Sequence, residues 1–460
     1  MYNRAKMRSY VIFFILAMTL VLVSISTTSV AVAFPVITSS FHITLILAGW
    51  IISIYQLGVT GIMPIAGKLG DILSKKVTFL LCLSFFMLGS LLCAVSSNIG
   101  LLIFSRFIQS LGGGGIMPAA MGIVTEEFPR SKHRAIGLFS SIFPIGQIIG
   151  PNLGGFLVES FGWRSIFWLN IPSCLVVIFL AALFLRREER KRERIDVLGT
   201  VFLFFTLFSL MAGLSIIGSG RSVKMILATI ALLCMAAMLM VMLIGHERKT
   251  QNPIIDFAVL RGRPFVAANV FNFTYGVAII GVMSLIPAYA VFVYKMSTLQ
   301  SGILMTPRSV AMIAASLLTS LYIMRWGYRW PMIAGTLATA AGLLLFSFKF
   351  NSIFLLFIIS SIIGAGAGLA APASNNACIE LMPDRVSTIT GIRGMFRQIG
   401  GALSIAVATI ILHTSGDMVL GFRIIFLGMA VALIGVIPAV FLMPSSPKTA
   451  RSRVDLDTED

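Results

Sequence analysis

Charged side chains are scarce in this chain. Asp, Glu, Lys and Arg make up 11% of its 460 residues, whereas 58% are hydrophobic and the mean hydropathy is +0.98. Soluble domains carry about 25% charged residues. The shortage therefore excludes a soluble enzyme, a disordered protein and a nucleic-acid-binding domain, and it indicates a polytopic α-helical membrane protein.

Sequence patterns that supply enzymatic or metal chemistry are also missing. The chain has no GxxxxGK[ST], HExxH or GxSxG string, which are motifs for nucleotide binding, zinc proteases and serine hydrolases. The five cysteines fall in apolar runs without metal-site spacing, so we interpret them as packing residues. The histidines fall in predicted loops or at a helix end, and we assign no role to His42, His133, His246 and His413. We expect no cofactor, no metal site and no enzymatic activity.

The chain is rich in apolar runs that are long enough to cross a bilayer, which takes about 20 helical residues. The polar breaks between them are short, so no separate soluble domain is predicted. The first run lacks a small-residue cleavage site, and we expect it to be an uncleaved span. The 14 predicted spans cover residues 10–34, 47–66, 77–96, 99–122, 135–157, 165–185, 197–217, 224–245, 265–292, 300–323, 331–349, 352–377, 389–413 and 421–443.

The distribution of basic residues predicts how the spans face. With the N-terminus inside, 25 Lys and Arg residues fall on cytoplasmic segments and 6 on outer segments, in agreement with the positive-inside rule. We therefore predict a multi-pass protein of the cell membrane with both termini cytoplasmic. The net charge of +18 then reflects orientation and contact with the lipid bilayer, not a nucleic-acid partner.

Three strings stand at set distances in the first half of the chain. They are GKLGDILSKK at 67–76, RFIQSLGGGG at 106–115 and GQIIGPNLGG at 146–155, and GWRSIFWLNIP follows at 162–172. With the 14 spans, these strings resemble the major facilitator superfamily, and within it the 14-spanning drug:proton antiporter branch of the multidrug efflux type.

The match differs between the strings. The first departs from the family pattern, with Ile72 in place of the usual Arg and Ser74 in place of Gly. The third agrees with the antiporter motif at every fixed position, namely Gly146, Gly150, Pro151, Gly154 and Gly155.

The resemblance implies an all-α major facilitator-type bundle of two six-helix halves plus two extra central helices. The halves would be residues 1–196 and 264–443, with the inserted helices and a cytoplasmic loop at 197–263 and a cytoplasmic tail at 444–460. It also implies a monomeric secondary transporter with a substrate site between the halves near the midplane. The implied function is proton-linked efflux of small amphipathic compounds by alternating access.

Two alternatives remain open. One is a transporter of an anionic metabolite or lipid with weak or no proton coupling, which efflux of cationic and anionic dyes would distinguish. The other is a membrane sensor or scaffold that does not transport, which transport by the purified protein in liposomes would exclude.

The third string has a physical interpretation of its own. Gly146, Gly150 and Gly154 recur on one face of a helix, and small residues let helices approach closely in lipid. Pro151 is expected to kink this helix. We predict a seam on which one half rocks against the other.

The first two strings contain the polar candidates for conformational control. A carboxylate such as Asp71, at the end of span 2, can bond the backbone N–H groups of a helix terminus and favour one conformer. The resemblance implies that this latch holds the outward-facing state. Arg106 in span 4 is costly in lipid, about 2.5–3.5 kcal/mol at the bilayer centre, and Gln109 shares its face. In related antiporters the matching Arg is thought to take part in proton transfer.

Other polar residues within the spans are candidates for the substrate cavity. In the first half these are Ser26, Tyr55 and Gln147. In the second half they are Asn269, Asn272, Arg308, Asn375 and Arg397.

A membrane-embedded carboxylate is missing from the sequence pattern. The related branch usually has an Asp in span 1, in a string like LDTTIVNVALP, whereas this chain has ISTTSVAVAFP. Ser26 replaces the Asp, and a Ser hydroxyl does not titrate near neutral pH. We therefore predict weak, substrate-dependent or absent proton coupling.

Overall fold

A computed structural model describes residues 2–43, 45–185, 196–217, 222–250, 262–296, 298–350 and 352–446. Within these ranges all regular secondary structure is helical. The helices are α1 Tyr2–Ser40, α2 Leu45–Ile72, α3 Lys75–Ala94, α4 Ile99–Glu127, α5 Lys132–Ser140, α6 Phe143–Phe161, α7 Ser165–Phe184, α8 Val197–Ile217, α9 Val223–Glu247, α10 Arg263–Tyr294, α11 Thr298–Ile303, α12 Met305–Trp326, α13 Arg329–Phe346, α14 Ile353–Ile379, α15 Val386–Thr414, α16 Met418–Gly435 and α17 Ile437–Leu442.

The predicted number of spans is confirmed. In the described ranges, 14 helical stretches are long and apolar enough to cross a membrane. Helices satisfy their own backbone hydrogen bonds, which lipid requires because it offers no partners. The basic run 186–194 and most of the tail predicted at 444–460 lie outside the described residues.

Three of the spans are interrupted, and each interruption precedes a proline. α5 ends at Ser140 and α11 ends at Ile303, four residues before Pro144 and Pro307 respectively. A proline ring clashes with the carbonyl four residues earlier and donates no hydrogen bond, so the helix stops there. The third break, at Val436 between α16 and α17, lies two residues before Pro438.

Pro151 lies inside a continuous helix. α6 runs through that residue from Phe143 to Phe161, and the interruption of span 5 lies earlier, at 141–142, before Pro144. The kink at Pro151 within α6 stays a prediction.

The helices pack in two groups. The N-terminal group, α1–α7, is held together by contacts such as α3 with α4, α2 with α4 and α1 with α6. The C-terminal group, α10–α17, is held together by α12 with α14, α13 with α14 and α10 with α15. Between the groups, α2 and α4 contact α15, and α5 contacts α12 and α14. Helix α8 lies against α2, α15 and α9.

One end of the bundle carries the polar contacts of Asp71 and His133 between the two groups of helices. Here α2 and α14 end, and α10 and α15 begin, and their apolar side chains share one buried cluster. We call this the Asp71 end, after the residue at the end of α2. At the start of α8, Asp196 accepts from the ring Nε2 of His246, with 2.9 Å from Oδ1, which ties α9 to α8. His246 therefore lies in a helix and not in a loop as predicted.

Candidate functional site

Asp71 caps a helix that belongs to the other group. Its carboxylate oxygens accept hydrogen bonds from the backbone nitrogens of Ser387 (3.4 Å) and Thr388 (2.8 Å), and from the Thr388 hydroxyl (2.7 Å). Both nitrogens lie in the first turn of α15, whose N-cap residue does not cap it through its side chain. Asp71 thus supplies from α2 an acceptor for orphan N–H groups of α15, and its negative charge suits the positive end of the helix.

Glycines bring α2 and α15 into backbone contact at the same end. A Cβ added at Gly67 would overlap the carbonyl oxygen of Ser387, and one at Gly391 would overlap the carbonyl oxygen of Met63. The backbones of α2 and α15 therefore touch over two turns that end beside Asp71. Gly391 was not among the sequence candidates, although its spacing of three residues from Gly394 was a usable signal of a small-residue face.

A second polar contact joins the groups through His133. Its Nδ1 lies 3.0 Å from the Asn376 Oδ1 and 3.0 Å from the Tyr328 hydroxyl, while its Nε2 lies 3.5 Å from the Glu380 Oε1. His133 belongs to α5, in the N-terminal group, and the other three residues belong to the C-terminal part of the chain. The prediction that His133 lies in a loop without a role was wrong about its location, because the short helix α5 presents it to α14.

The donors in this contact can be assigned from the partners. The Asn376 amide nitrogen donates to the carbonyl oxygens of His133 (3.2 Å) and Pro372 (3.0 Å), so its oxygen faces the ring and Nδ1 carries the proton. The Tyr328 hydroxyl donates to Glu380 at 3.2 Å. Burial, and then the neighbouring Glu380 carboxylate, raise the pKa of Tyr328, so its hydroxyl stays protonated and remains a donor.

The glycine face of α6 packs on α1. A Cβ at Gly150 would overlap the Thr28 hydroxyl, and one at Gly146 would lie 2.5 Å from the Ser24 Cβ. The Ser29 hydroxyl donates to the carbonyl oxygen of Gly150 at 2.8 Å. Gly154 likewise faces Ser29. The stripe is therefore a close contact inside the N-terminal group, while α6 also contacts α12 of the C-terminal group; the rocking seam stays a prediction.

Arg106 and Gln109 belong to a buried network inside the N-terminal group. The Arg106 guanidinium donates to the Gln109 side-chain oxygen (2.5 Å) and to the backbone oxygen of Ile51 (3.3 Å). It also lies over the ring of Tyr55, 4.1 Å from the centroid, where a cation–π contact adds stabilisation.

Ser26 lies on the other side of Gln109. The Gln109 amide donates to the hydroxyls of Ser90 (2.8 Å) and Ser26 (3.4 Å), and the Asn170 amide donates to the same two hydroxyls. Ser26 is 1% exposed. The structure therefore groups four sequence candidates, Arg106, Gln109, Ser26 and Tyr55, in one buried network. It adds Ser90 and Asn170, which were not among the sequence candidates.

The remaining cavity candidates are dispersed. Asn269 and Asn272 donate to carbonyl oxygens of their own helix α10, and Asn272 also contacts the Cys378 Sγ at 3.3 Å. Asn375 donates to the Ser140 hydroxyl and so joins α14 to α5. Gln147 lies half-buried in α6.

Three arginines of the C-terminal group belong to helices that meet near Tyr275. The Tyr275 hydroxyl donates to the backbone oxygen of Ala367 at 2.8 Å, and a Cβ at the next residue, Gly276, would overlap the Arg397 carbonyl. One turn before Ala367, a Cβ at Gly364 would overlap the Arg308 carbonyl. Arg308 and Arg393 are buried and Arg397 is half-buried. This arrangement brings together two predicted cavity residues, Arg308 and Arg397, from helices α12 and α15.

Within the described ranges, carboxylates occupy the helix ends. Asp71 is the last residue but one of α2, and Glu380 follows the last residue of α14. No described cluster of His, Cys, Asp and Glu has the arrangement of a metal site.

Comparison with known proteins agrees with this architecture. The family model described as Major Facilitator Superfamily matches residues 16–307 and 270–456. The chain is 29% identical over 375 residues to multidrug transporter protein MdtP of Bacillus subtilis (strain 168), covering 80% of this chain and 69% of the relative. It is 27% identical over 454 residues to riboflavin transporter RibZ of Clostridioides difficile (strain 630), covering 91% and 94%.

A solved structure shares the fold. The crystal structure of the human organic anion transporter MFSD10 superposes with a TM-score of 0.68 at 14% identity, covering 94% of this chain and 99% of that chain. The match of the family model, the 14 spans and the two groups of helices confirm the resemblance seen in the three strings. The chain therefore belongs to the Major Facilitator Superfamily and is a membrane transporter of that family, not an enzyme.

Proposed function

We propose that this transporter exports small amphipathic compounds across the cell membrane by alternating access, as a secondary active carrier with both termini cytoplasmic. The Asp71 end is then the cytoplasmic end, and the structure represents a state closed on that side. The relative MdtP is named a multidrug transporter and RibZ a riboflavin transporter, and both names fit small aromatic or amphipathic cargo.

The observation that carries the proposal is the cap that Asp71 makes on α15. Alternating access needs a closure that forms and breaks at each end without unfolding either group. A carboxylate cap of this kind is worth about 0.5–2 kcal/mol, which is enough to populate one state and small enough for substrate binding to reverse. His133 with Asn376, Tyr328 and Glu380 gives the same end a second polar contact.

The two groups are suited to move as units. Within the N-terminal group, the glycine stripe of α6 locks to α1, and the network around Arg106 and Gln109 joins α1, α2, α3, α4 and α7. Buried polar networks whose members are paired make a group of helices rigid. The contact of Gly67 with α15, in contrast, crosses between the groups and would separate on opening.

Proton coupling is proposed to be weak or dependent on the substrate. The position of the usual span-1 carboxylate is occupied by Ser26, whose hydroxyl receives hydrogen bonds from Gln109 and Asn170. A proton carrier needs a group with a pKa near the working pH, which this hydroxyl lacks.

The test is transport by the purified full chain in liposomes, each loaded with one compound from a panel of cationic, neutral and anionic amphipathic dyes. We expect efflux above that of protein-free liposomes. Gly67→Leu should abolish it, because the new side chain would occupy the space of the Ser387 carbonyl and block closure. Gly428→Leu is the matched control, since a Cβ at Gly428 meets no atom within 4 Å.

Two outcomes would contradict the proposal. Absence of transport with a panel of cationic, neutral and anionic amphipathic compounds would favour a sensor or scaffold. Equal transport by wild type and Gly67→Leu would show that the contact between α2 and α15 does not open and close during transport.

A further inference from the structure

Arg308 is a fully buried cation without a partner among the described residues. It is 1% exposed, and its Nε, Nη1 and Nη2 make no hydrogen bond within the described part of the chain. A guanidinium has five N–H donors and stays charged in proteins. Burying such a group unpaired is costly, so a site of this kind is usually completed by an anion.

The backbone around Arg308 fixes where its side chain starts. A Cβ at Gly364 of α14 would overlap the Arg308 carbonyl, so α12 and α14 touch at this level. A Cβ at Gly276 of α10 would overlap the Arg397 carbonyl, so α10 and α15 touch there too. Both contacts flank Tyr275, whose hydroxyl is held by the Ala367 carbonyl.

The site lies near the middle of the helices. Tyr275 follows the start of α10 by 12 residues, and Arg397 follows the start of α15 by 11 residues. At 1.5 Å per residue, both lie about 17–18 Å from the Asp71 end. Arg397 is half-buried, whereas Arg308 is 1% exposed, so Arg397 is the more accessible of these two arginines.

The charges of this site have one sign. Arg393 and Arg397 lie one turn apart on α15, and among the described residues no salt bridge from a carboxylate reaches either of them or Arg308. The buried arginine of the N-terminal group, Arg106, is paired with Gln109 and Tyr55 and is therefore satisfied. The surplus of donors and positive charge is confined to the C-terminal group.

We propose that Arg308, Arg393 and Arg397 bind the carboxylate or phosphate group of an amphipathic anion carried by this transporter. The inference rests on the proposed function, since it names the substrate class of the carrier. Guanidinium groups bind both anions through paired N–H donors. The apolar part of the same molecule would lie against the apolar side chains between the two groups of helices.

A binding measurement tests the site without requiring transport. The full chain in phosphatidylcholine nanodiscs is titrated with two dyes of one ring system and opposite charge, anionic fluorescein and cationic rhodamine 6G, and fluorescence anisotropy is recorded. We expect fluorescein to bind more tightly than rhodamine 6G. Equal or tighter binding of rhodamine 6G by the wild type would overturn the proposal.

Two variants and one control locate the binding. Arg308→Gln and Arg397→Gln should each weaken fluorescein binding about tenfold or more, which corresponds to about 1.4 kcal/mol. Arg325→Gln is the control, because Arg325 is an exposed arginine at the far end of the same helix α12 and its loss should leave the affinity unchanged. If Arg308→Gln does not fold, Arg397→Gln decides. Wild-type affinity for fluorescein in Arg397→Gln would refute the site.

Two further measurements are needed. One distinguishes a lipid headgroup from a soluble anion as the ligand, and the other separates failure of this site from failure of the proposed export. Addition of phosphatidylglycerol to the nanodiscs should lower fluorescein binding if a lipid headgroup is the natural ligand, and should leave it unchanged if the ligand is a soluble anion. Fluorescein binding without transport of any dye would support the site and contradict the proposed export. Transport of rhodamine 6G without fluorescein binding would support export and overturn the site.

Discussion

Replacing Asp71 by Asn separates the charge of the cap from its size. The carboxylate accepts two backbone N–H groups and one hydroxyl of α15, whereas the amide keeps one oxygen and presents an NH₂ group to the other donors. Hydrogen bonds to a charged partner are roughly twice as strong as neutral ones, and an anion at a helix N-terminus adds about 0.3–1 kcal/mol.

The expected shift follows from these contributions. We expect Asp71→Asn to destabilise the closed Asp71 end by about 1–2 kcal/mol, which changes the ratio of closed to open states by about 5- to 30-fold. The substitution should also lower transport, because the carrier would return to the closed state less often.

Thiol accessibility measures the shift directly. Ser387 is fully buried between the groups, where its hydroxyl faces Gly70 and Gly122, so Ser387→Cys is a reporter of opening. The background carries Cys234→Ser, because Cys234 is exposed and the other four cysteines are buried. The rate of maleimide labelling should rise by about 5- to 30-fold in Asp71→Asn, in proportion to the open population.

The control is the same change, Asp to Asn, at a residue that caps a helix within one group. Asp417 caps α16 by accepting from the backbone nitrogen of Val419 at 2.9 Å, and this bond lies within one group. Asp417→Asn should leave the labelling of the reporter unchanged. Unchanged labelling and transport in Asp71→Asn would refute the role of Asp71 as a closure between the groups.

Three further predictions concern the other contacts. Gly150→Leu should abolish transport with the protein still inserted, because the leucine side chain would occupy the place of the Thr28 hydroxyl and force α6 from α1. Efflux by this variant at the wild-type rate in liposomes would show that the contact tolerates separation. Tyr328→Phe removes the hydroxyl that lies 3.0 Å from the His133 Nδ1 across the two groups, at a net cost of about 0.5–1.5 kcal/mol, so reporter labelling should rise about two- to tenfold, and no rise would mean that this contact does not hold the end closed. Ser26→Asp places a carboxylate beside the amides of Gln109 and Asn170 and should increase the export of cationic dyes that a proton gradient drives. Efflux that stays independent of the gradient would contradict the proposal that the lack of a span-1 carboxylate weakens proton coupling.

Much of the fold was accessible from the sequence because its causes are local. A run of about 20 apolar residues must form a helix in lipid, since no other conformation satisfies its backbone, and so the count of 14 spans was predicted correctly. The strings around Asp71, Arg106 and Gly146 carried the family resemblance, which the comparisons confirmed. Proline also acts locally, although the structure showed that Pro144 and Pro307 interrupt helices while Pro151 does not.

The partners of these residues were decided by the tertiary structure alone. Helical periodicity shows that Gly146, Gly150 and Gly154 share a face, but it does not show whether that face meets α1 or the other group of helices. Asp71 lies 316 residues before Ser387, whose nitrogen donates to it, and no local pattern joins them. His133 gains its contacts because the short helix α5 packs against α14. Glycines at 276 and 364 let α10 approach α15 and α12 approach α14, which brings the helices that carry Arg308, Arg393 and Arg397 together near Tyr275. The sequence thus determined which segments enter the membrane, whereas the packing of distant helices decided which polar groups are paired and which remain available to a ligand.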